Sequence, residues 1–181
     1  MMDADMEKVY YSEEELKACA AKLGKQITED YAGEEVFVIG ILKGAVVFFS
    51  DLIREIKIPT QIDFMIASSY GNSKETSGTV KILKDLDYDI AGKNVIIVED
   101  IIDSGLTMKY LMQILAGRNP KTMRLCALLN KPSRRRVDVK IDYCGFEVPD
   151  EFLVGYGLDY AEKYRNLPYI GVLKKEIYAE D

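Results

Sequence analysis

The amino-acid sequence predicts an α/β fold whose sheet is mainly parallel. Two observations indicate this fold. Short apolar runs rich in β-branched residues alternate along the chain with stretches in which apolar residues recur at helical spacing. One run, residues 95–98, reads Val-Ile-Ile-Val, and unbroken apolarity is typical of a strand covered on both faces, as in parallel sheets. We therefore expect a twisted sheet flanked by helices.

The individual elements follow from local patterns. Ser12 and Glu15 have the spacing of a capping box, so a first helix is expected to begin near residue 12. A turn at 42–45 leads into a second helix, and a third follows residue 107, since apolar residues recur there at helical spacing. Strands are predicted at 36–41, 61–68, 80–85, 95–98, 123–129 and 139–143.

Two segments lack such a pattern. Residues 70–78 are polar and bounded by glycines, which predicts a mobile loop. From about residue 145, prolines and glycines break the chain into short pieces, so residues 145–181 are expected to form a small cap, or hood, over the carboxyl edge of the sheet. No repeat or linker marks a second domain, and the length favours one domain over residues 1–181.

Composition argues against several classes of protein. With 24 basic and 30 acidic residues the net charge is −6, so no overall positive field attracts nucleic acid. Histidine is absent, so any bound metal is expected to be a hard cation. Cys19, Cys126 and Cys144 form no Cys-x-x-Cys pair, which suits reduced thiols in the cytoplasm. No stretch approaches the ~18 to 20 apolar residues that span a bilayer, so no membrane association is expected.

The apolar run at 95–98 ends abruptly at polar residues. Glu99 and Asp100 follow it at the carboxyl end of the predicted strand, where open α/β sheets bind ligands. Residues 103–107, Asp-Ser-Gly-Leu-Thr, then place backbone NH groups and hydroxyls at the start of a helix, a common way to bind phosphate. The alternative is an ordinary connection with Ser104 as a helix cap. Because two acids would repel a bare phosphate, a hydroxylated sugar or a divalent cation is expected beside them.

Residues 95–107 resemble the phosphoribosyl diphosphate (PRPP) signature of type I phosphoribosyltransferases, especially the hypoxanthine-guanine enzymes. Three further motifs match in the same order: Leu-Lys-Gly at 42–44, Lys131 after a strand, and residues 152–160 leading to Arg165. Each alone has an ordinary alternative, namely a turn, a solvated lysine, a piece of core or a surface ion pair. Their joint occurrence in sequence order favours the resemblance.

The resemblance implies a type I phosphoribosyltransferase fold and a purine-salvage enzyme. Such an enzyme transfers the 5-phosphoribosyl group from PRPP to N9 of hypoxanthine or guanine, with Mg²⁺, and releases pyrophosphate with IMP or GMP. A homodimer or homotetramer is expected. Two alternatives remain: a related enzyme that prefers xanthine or a pyrimidine, and a PRPP-sensing regulator that binds RNA or DNA, which should show a basic face.

The resemblance also implies roles for individual residues, with Asp103 as the catalytic residue that accepts the purine proton. The contacts to PRPP and its phosphates are assigned to Lys43, Gly44, Glu99, Asp100, Asp103, Ser104, Gly105, Leu106, Thr107 and Arg165. The purine contacts are assigned to Lys131, Phe152, Leu153 and Asp159. The metal ligands are assigned to Glu99, Asp100 and Asp159, and a flexible lid to Ser69 and Tyr70. The turn at 42–44 admits a cis peptide bond between Leu42 and Lys43.

One basic run has no assigned role. Arg134, Arg135 and Arg136 are consecutive. Most such runs are solvated turns, and an oligomer contact or an anion site is the alternative.

Overall fold

The structure is a computed structural model that describes residues 2–69 and 80–179. Tyr70 and the loop predicted at 70–78 lie outside the described residues. The helices are α1 (Glu13–Asp30), α2 (Val46–Glu55), α3 (Leu106–Ala116) and the short α4 (Lys175–Tyr178). The strands are β1 (Met6–Tyr11), β2 (Val36–Leu42), β3 (Thr60–Ser69), β4 (Val80–Lys84), β5 (Asn94–Ile102), β6 (Thr122–Asn130), β7 (Tyr143–Glu147), β8 (Leu153–Val154) and β9 (Ile170–Leu173).

Six strands form the central sheet, in the order β4-β3-β2-β5-β6-β7. All neighbouring pairs are parallel except β3 with β4 at one edge. The predicted α/β fold with a mainly parallel sheet is confirmed. Residues 95–98 lie on β5, near the middle of the sheet, and are fully buried because both faces of the sheet are covered.

Helices cover the two faces of this sheet. On one face α1 and α2 pack against side chains such as Val38 and Val98. On the other face α3 packs against the alternate side chains, among them Ile39 and Ile97. The predicted capping box at the start of α1 is confirmed, since Ser12 and Glu15 bond reciprocally. Within the described residues, no helix has the length and apolarity needed to cross a membrane.

The position predicted for the strand at 139–143 is wrong. β7 begins at Tyr143, and the chain reaches the sheet one residue earlier, where Asp142 bonds to Leu125 through its backbone NH and its carboxylate. Val139 instead packs into the apolar cluster around α3. Because β7 extends to Glu147, residues 145–147 belong to the central sheet and not to the cap.

A second sheet of three strands, in the order β1-β9-β8, lies apart from the central one. Sequence analysis did not predict β1, whose residues pair antiparallel with β9 near the other end of the chain. The cap sheet is therefore built from both terminal regions. The segment between β8 and β9 packs closely on the turn after β2. The approach is so close that a Cβ at Gly157 would overlap the carbonyl oxygen of Gly44.

Candidate active site

The predicted phosphate loop connects β5 to α3. Gly105 has a left-handed φ of +81°, and a Cβ there would lie 3.0 Å from the carbonyl oxygen of Val137, so glycine suits this position on both counts. Ser104, Gly105 and Thr107 line a cavity of about 110 Å³ together with Glu99 and Asp103. Leu106 is the first residue of α3, and a helix leaves its first NH groups without partners inside the helix.

The segment after β6 supports this loop from outside. The carbonyl oxygen of Ser104 accepts hydrogen bonds from the backbone NH groups of Arg136 at 2.9 Å and Val137 at 3.3 Å. The guanidinium of Arg135 donates to the carbonyl oxygens of Asp103 at 3.1 Å and Ile102 at 3.4 Å. Arg135 is therefore a structural part of the phosphate loop, which differs from the solvated turn that sequence analysis favoured for this basic run.

The acidic pair, Glu99 and Asp100, lies within β5, two residues before its end. Burial, followed by the neighbouring charge of Asp100, raises the pKa of Glu99 well above its usual value. Burial also raises the pKa of Asp100, against hydrogen bonds with the Glu99 side chain and the Ile101 NH and the charge of Arg165, which lower it. The carboxylate of Asp100 reaches the turn after β2, since a Cβ at Gly44 would overlap its Oδ2 atom. Two partly buried carboxylates at this point favour a cation or hydroxyl groups as their partner.

That turn carries the predicted cis peptide bond between Leu42 and Lys43, which is confirmed. The Nζ atom of Lys43 lies 3.0 Å from Glu162 Oε2. Arg165 approaches from the same loop as Glu162: it donates to the carbonyl oxygen of Gly157 at 2.8 Å and pairs with Asp159 Oδ1 at 2.8 Å. The structure thus brings Lys43 and Arg165, 122 positions apart in sequence, to a shared acidic neighbour.

A larger cavity of about 460 Å³ lies beside the phosphate loop, and all four predicted purine-contacting residues line it. Lys131 is only 6% exposed, and its ammonium donates to the carbonyl oxygen of Glu151 at 2.9 Å. The ring of Phe152 stacks on that of Tyr178, with centroids 4.6 Å apart and 21° between planes. The full lining is Asp100, Ile101, Asp103, Lys131, Arg134, Asp150, Glu151, Phe152, Leu153, Leu158, Asp159 and Tyr178.

Asp103 lines both cavities. Its Oδ1 atom is buried without a hydrogen-bond partner, and the nearest cationic group, Nε of Arg134, is 3.6 Å away. In the described part of the chain, the other buried side-chain atoms without a partner are Glu151 Oε2 and Arg165 Nε. Glu151 lines the larger cavity, and Arg165 contacts its lining residue Asp159. Unsatisfied polar atoms are rare in native proteins, so their grouping here indicates a ligand site.

The three predicted metal ligands do not converge on one point. Across residues 2–69 and 80–179, no group of three or more acidic or thiol side chains could hold a metal ion between them. Asp159 is engaged instead with Arg165 and with the backbone NH of Glu162. Glu99 and Asp100 are adjacent and present the oxygen donors that Mg²⁺ prefers, and Mg²⁺ usually completes its shell with water and substrate phosphate. The acidic pair fits such a shared site.

Some site residues were missed by sequence analysis. Asp150 and Glu151 directly precede Phe152, so proximity to that motif was a usable signal. Tyr178 gave no signal, because only tertiary packing brings α4 to Phe152. Of the predicted lid, Ser69 is the last residue of β3, and Tyr70 lies outside the described residues.

A parallel sheet with a phosphate loop after a central strand, an acidic pair before it and a base-sized cavity beside it defines a nucleotide-handling α/β enzyme. The chain belongs to the phosphoribosyltransferase family, since the model of the phosphoribosyl transferase domain matches residues 7–161. It is 53% identical to the hypoxanthine-guanine phosphoribosyltransferase of Bacillus subtilis over 178 residues, which cover 98% of this chain and 99% of the relative.

Further relatives agree. The hypoxanthine phosphoribosyltransferase of Salmonella typhimurium is 55% identical over 165 residues, covering 90% of this chain and 93% of that protein. The crystal structure of a hypoxanthine phosphoribosyltransferase from Staphylococcus aureus superposes with a TM-score of 0.95 at 46% identity, covering 98% of this chain and 96% of that one. The resemblance drawn from the sequence motifs, and the type I fold it implied, are confirmed.

Proposed function

We propose that this chain is a purine-salvage enzyme that transfers the 5-phosphoribosyl group of PRPP to N9 of hypoxanthine or guanine. The products are IMP or GMP and pyrophosphate. The observation that carries the proposal is the position of Asp103, which lies where the phosphate-loop cavity meets the larger cavity. A bond between a sugar in the first cavity and a base in the second would form beside this carboxylate.

The PRPP half of the site consists of donors and acidic groups on different elements. The backbone NH groups at 104–107 would bind the 5-phosphate at the start of α3. Lys43, Gly44 and Arg165 would bind pyrophosphate, and the planar guanidinium of Arg165 suits phosphate oxygens. The acidic pair, Glu99 and Asp100, would accept hydrogen bonds from the ribose hydroxyls.

The purine half selects the base. An ammonium has three donors, and Lys131 uses one on Glu151, so another can donate to a 6-oxo group but not to the 6-amino group of adenine. A buried donor left unpaired by the wrong base costs binding energy, which produces discrimination. Phe152 would stack on the purine, a contact worth roughly 1 to 3 kcal/mol in nucleobase sites. The backbone carbonyl groups of Leu153 and Asp159 would contact the N1–C2 edge of the purine.

Asp103 would accept the proton that the purine imidazole loses as the glycosidic bond forms. A carboxylate is a weak base, so electrostatic stabilisation by Asp103 would contribute alongside proton transfer. Its unpartnered Oδ1 atom also stabilises positive charge that develops on the sugar and base during transfer. Both contributions come from the same oxygen.

Mg²⁺ would be held by Glu99 and Asp100 together with substrate oxygens, with Asp159 near the same cavity. When bound, the ion neutralises charge on the pyrophosphate that leaves. The resemblance also supports a lid at Ser69 and Tyr70, a homodimer or homotetramer, and a location in the cytoplasm. Light scattering of the purified chain gives its oligomeric state directly.

The test is pyrophosphate release from PRPP and Mg²⁺ with hypoxanthine, guanine, xanthine or adenine. We expect release with the first two bases and little with adenine. Lys131→Ala should relax the discrimination against adenine, whereas Lys121→Ala, at the other end of the sheet, should not. Equal release with adenine and hypoxanthine by the unaltered chain would contradict the function, and an unchanged base preference in Lys131→Ala would contradict the role of Lys131.

A further inference from the structure

One carboxylate joins the two cations assigned to pyrophosphate. Glu162 places Oε2 at 3.0 Å from Lys43 Nζ and Oε1 at 3.3 Å from Arg165 NH2. Lys43 belongs to the turn after β2 and Arg165 to the segment between β8 and β9, so this pairing is a tertiary contact. A carboxylate with two oxygens on two cations has the negative charge and the arrangement of acceptor oxygens that a phosphate group would have there.

Glu162 is anchored through its backbone. Its NH donates to Asp159 Oδ2 at 2.8 Å, and its φ of +62° is a left-handed value that side chains other than glycine seldom adopt. The backbone therefore keeps the side chain next to Lys43 and Arg165. The contact with Lys43 also favours the charged carboxylate, since the hydrogen bond from Lys43 is the largest cause of the lowered pKa of Glu162.

Lys43 and Arg165 differ in how firmly their side chains are held. Arg165 is fixed by Gly157 and Asp159, and its buried Nε has no hydrogen-bond partner. The side chains of Lys43 and Glu162 are 63% and 64% exposed, so water screens their pairing and an incoming anion can replace it. The arrangement thus includes one unsatisfied donor and one displaceable carboxylate.

We propose that Glu162 competes with pyrophosphate for Lys43 and Arg165 and thereby promotes the departure of this product. The inference rests on the proposed function, which assigns these two cations to pyrophosphate. When pyrophosphate is bound, the carboxylate has moved aside and its charge repels the product. When pyrophosphate leaves, Glu162 returns to Lys43 and Arg165 and again neutralises the positive charge that pyrophosphate had neutralised.

Glu162→Gln tests this directly, because glutamine keeps the length and the backbone hydrogen bond but removes the charge. We expect pyrophosphate with Mg²⁺ to bind about fivefold more tightly, measured by calorimetry and as its product-inhibition constant. The rate of phosphoribosyl transfer in a single turnover should stay unchanged, since Glu162 takes no part in bond formation. Glu13→Gln is the matched control, because Glu13 also forms an exposed pair with a lysine, Lys17, on the remote helix α1.

Pyrophosphate affinity that is unchanged or weaker in Glu162→Gln would overturn the proposal. Weaker binding would mean that Glu162 serves only to orient Arg165. Failure of the proposed function has a different signature, since the unaltered chain would then release no pyrophosphate from PRPP with hypoxanthine or guanine. Calorimetry with pyrophosphate alone remains informative in that case, because it needs no turnover. Thermal unfolding of each variant confirms that it is folded.

Discussion

The two ends of the central sheet hold cavities of similar size that differ in how far their polar groups are satisfied. The cavity at the amino ends of β2 and β5 has a volume of about 400 Å³, against about 460 Å³ at the carboxyl ends. At the amino edge the polar groups satisfy one another. Lys121 pairs with Glu34 at 2.6 Å, Asn94 donates to Glu34 at 2.6 Å, and Lys93 donates to Gln61 at 2.8 Å.

The carboxyl edge leaves some of its polar groups unsatisfied. Asp103 Oδ1 and Glu151 Oε2 are buried without partners, and the partly buried acidic pair, Glu99 and Asp100, has raised pKa values. Unsatisfied atoms destabilise the unliganded protein and persist where a ligand supplies the missing contacts. Cavity volume alone therefore does not locate the active site here, whereas buried polar atoms without partners do.

The largest expected difference between the two edges is in catalysis. Asp103→Asn should lower kcat by about 10²-fold or more, because it removes the negative charge and the proton acceptor while keeping the size of the side chain. The KM for PRPP should change far less. Steady-state kinetics with hypoxanthine measures both. Glu34→Gln at the amino edge should leave kcat within about twofold of that of the unaltered chain. Turnover by Asp103→Asn at the original rate would remove the distinction between the edges.

The carboxyl-edge elements that carry short, local signals were predictable from sequence. Residues 95–107 combine a buried strand, two acids and a glycine turn within thirteen positions, and the structure places them as β5, the phosphate loop and the start of α3. The capping box of α1 is equally local. Such features depend on neighbours in sequence, so patterns of residue type are enough to find them.

Features that depend on distant partners were not predictable. β1 is a strand because it pairs with β9, 159 to 167 positions away. Arg135 supports the phosphate loop only because the segment after β6 returns to it. Glu162 gave no signal in sequence, since its two cationic partners converge only through the packing of the cap on the turn after β2. Tertiary pairing decides these cases, and local propensity does not encode it.

The backbone also differs between the two edges, as one glycine at each edge shows. Gly157 and Gly92 both have left-handed φ values, +104° and +72°. A Cβ at Gly92 would meet nothing within 4 Å, whereas one at Gly157 would overlap the carbonyl oxygen of Gly44. Both Gly→Ala variants should lose about 1 to 2 kcal/mol of unfolding free energy, because alanine is strained at a left-handed φ. Gly157→Ala should lose roughly 2 kcal/mol more and raise the KM for PRPP, because the turn that carries Lys43 must move.

Denaturant unfolding of Gly157→Ala and Gly92→Ala measures this difference. Equal losses of stability would show that the contact between the cap and the turn after β2 is loose. An unchanged KM for PRPP in Gly157→Ala would show that the position of this turn does not matter to PRPP binding.

The smallest expected effect is on the pH dependence of stability, to which Glu99 and Glu34 contribute with opposite signs. The pKa of Glu99 is raised, so the folded state holds its proton more tightly than the unfolded state does. Its contribution to stability is therefore complete below the ordinary pKa of about 4.5 and is lost as pH rises through the raised value. Glu34 is the reverse: Lys121, followed by Asn94, lowers its pKa, so its contribution is present above about 4.5 and is lost only in stronger acid.

Glu99→Gln should therefore stabilise the unliganded protein, by roughly 1 kcal/mol, with a gain that grows from pH 5 to pH 8. The glutamine oxygen can still accept the bond that Asp100 NH donates to Glu99 Oε1 at 3.2 Å, so the change is mainly one of charge. Glu34→Gln should destabilise the protein by an amount that is nearly constant over the same range. Urea unfolding at both pH values, in the presence of a chelator, separates the two variants. A loss of stability in Glu99→Gln at pH 8 would mean that a partner inside the protein already compensates the partly buried acidic pair, and the electrostatic contrast between the two edges would then fail.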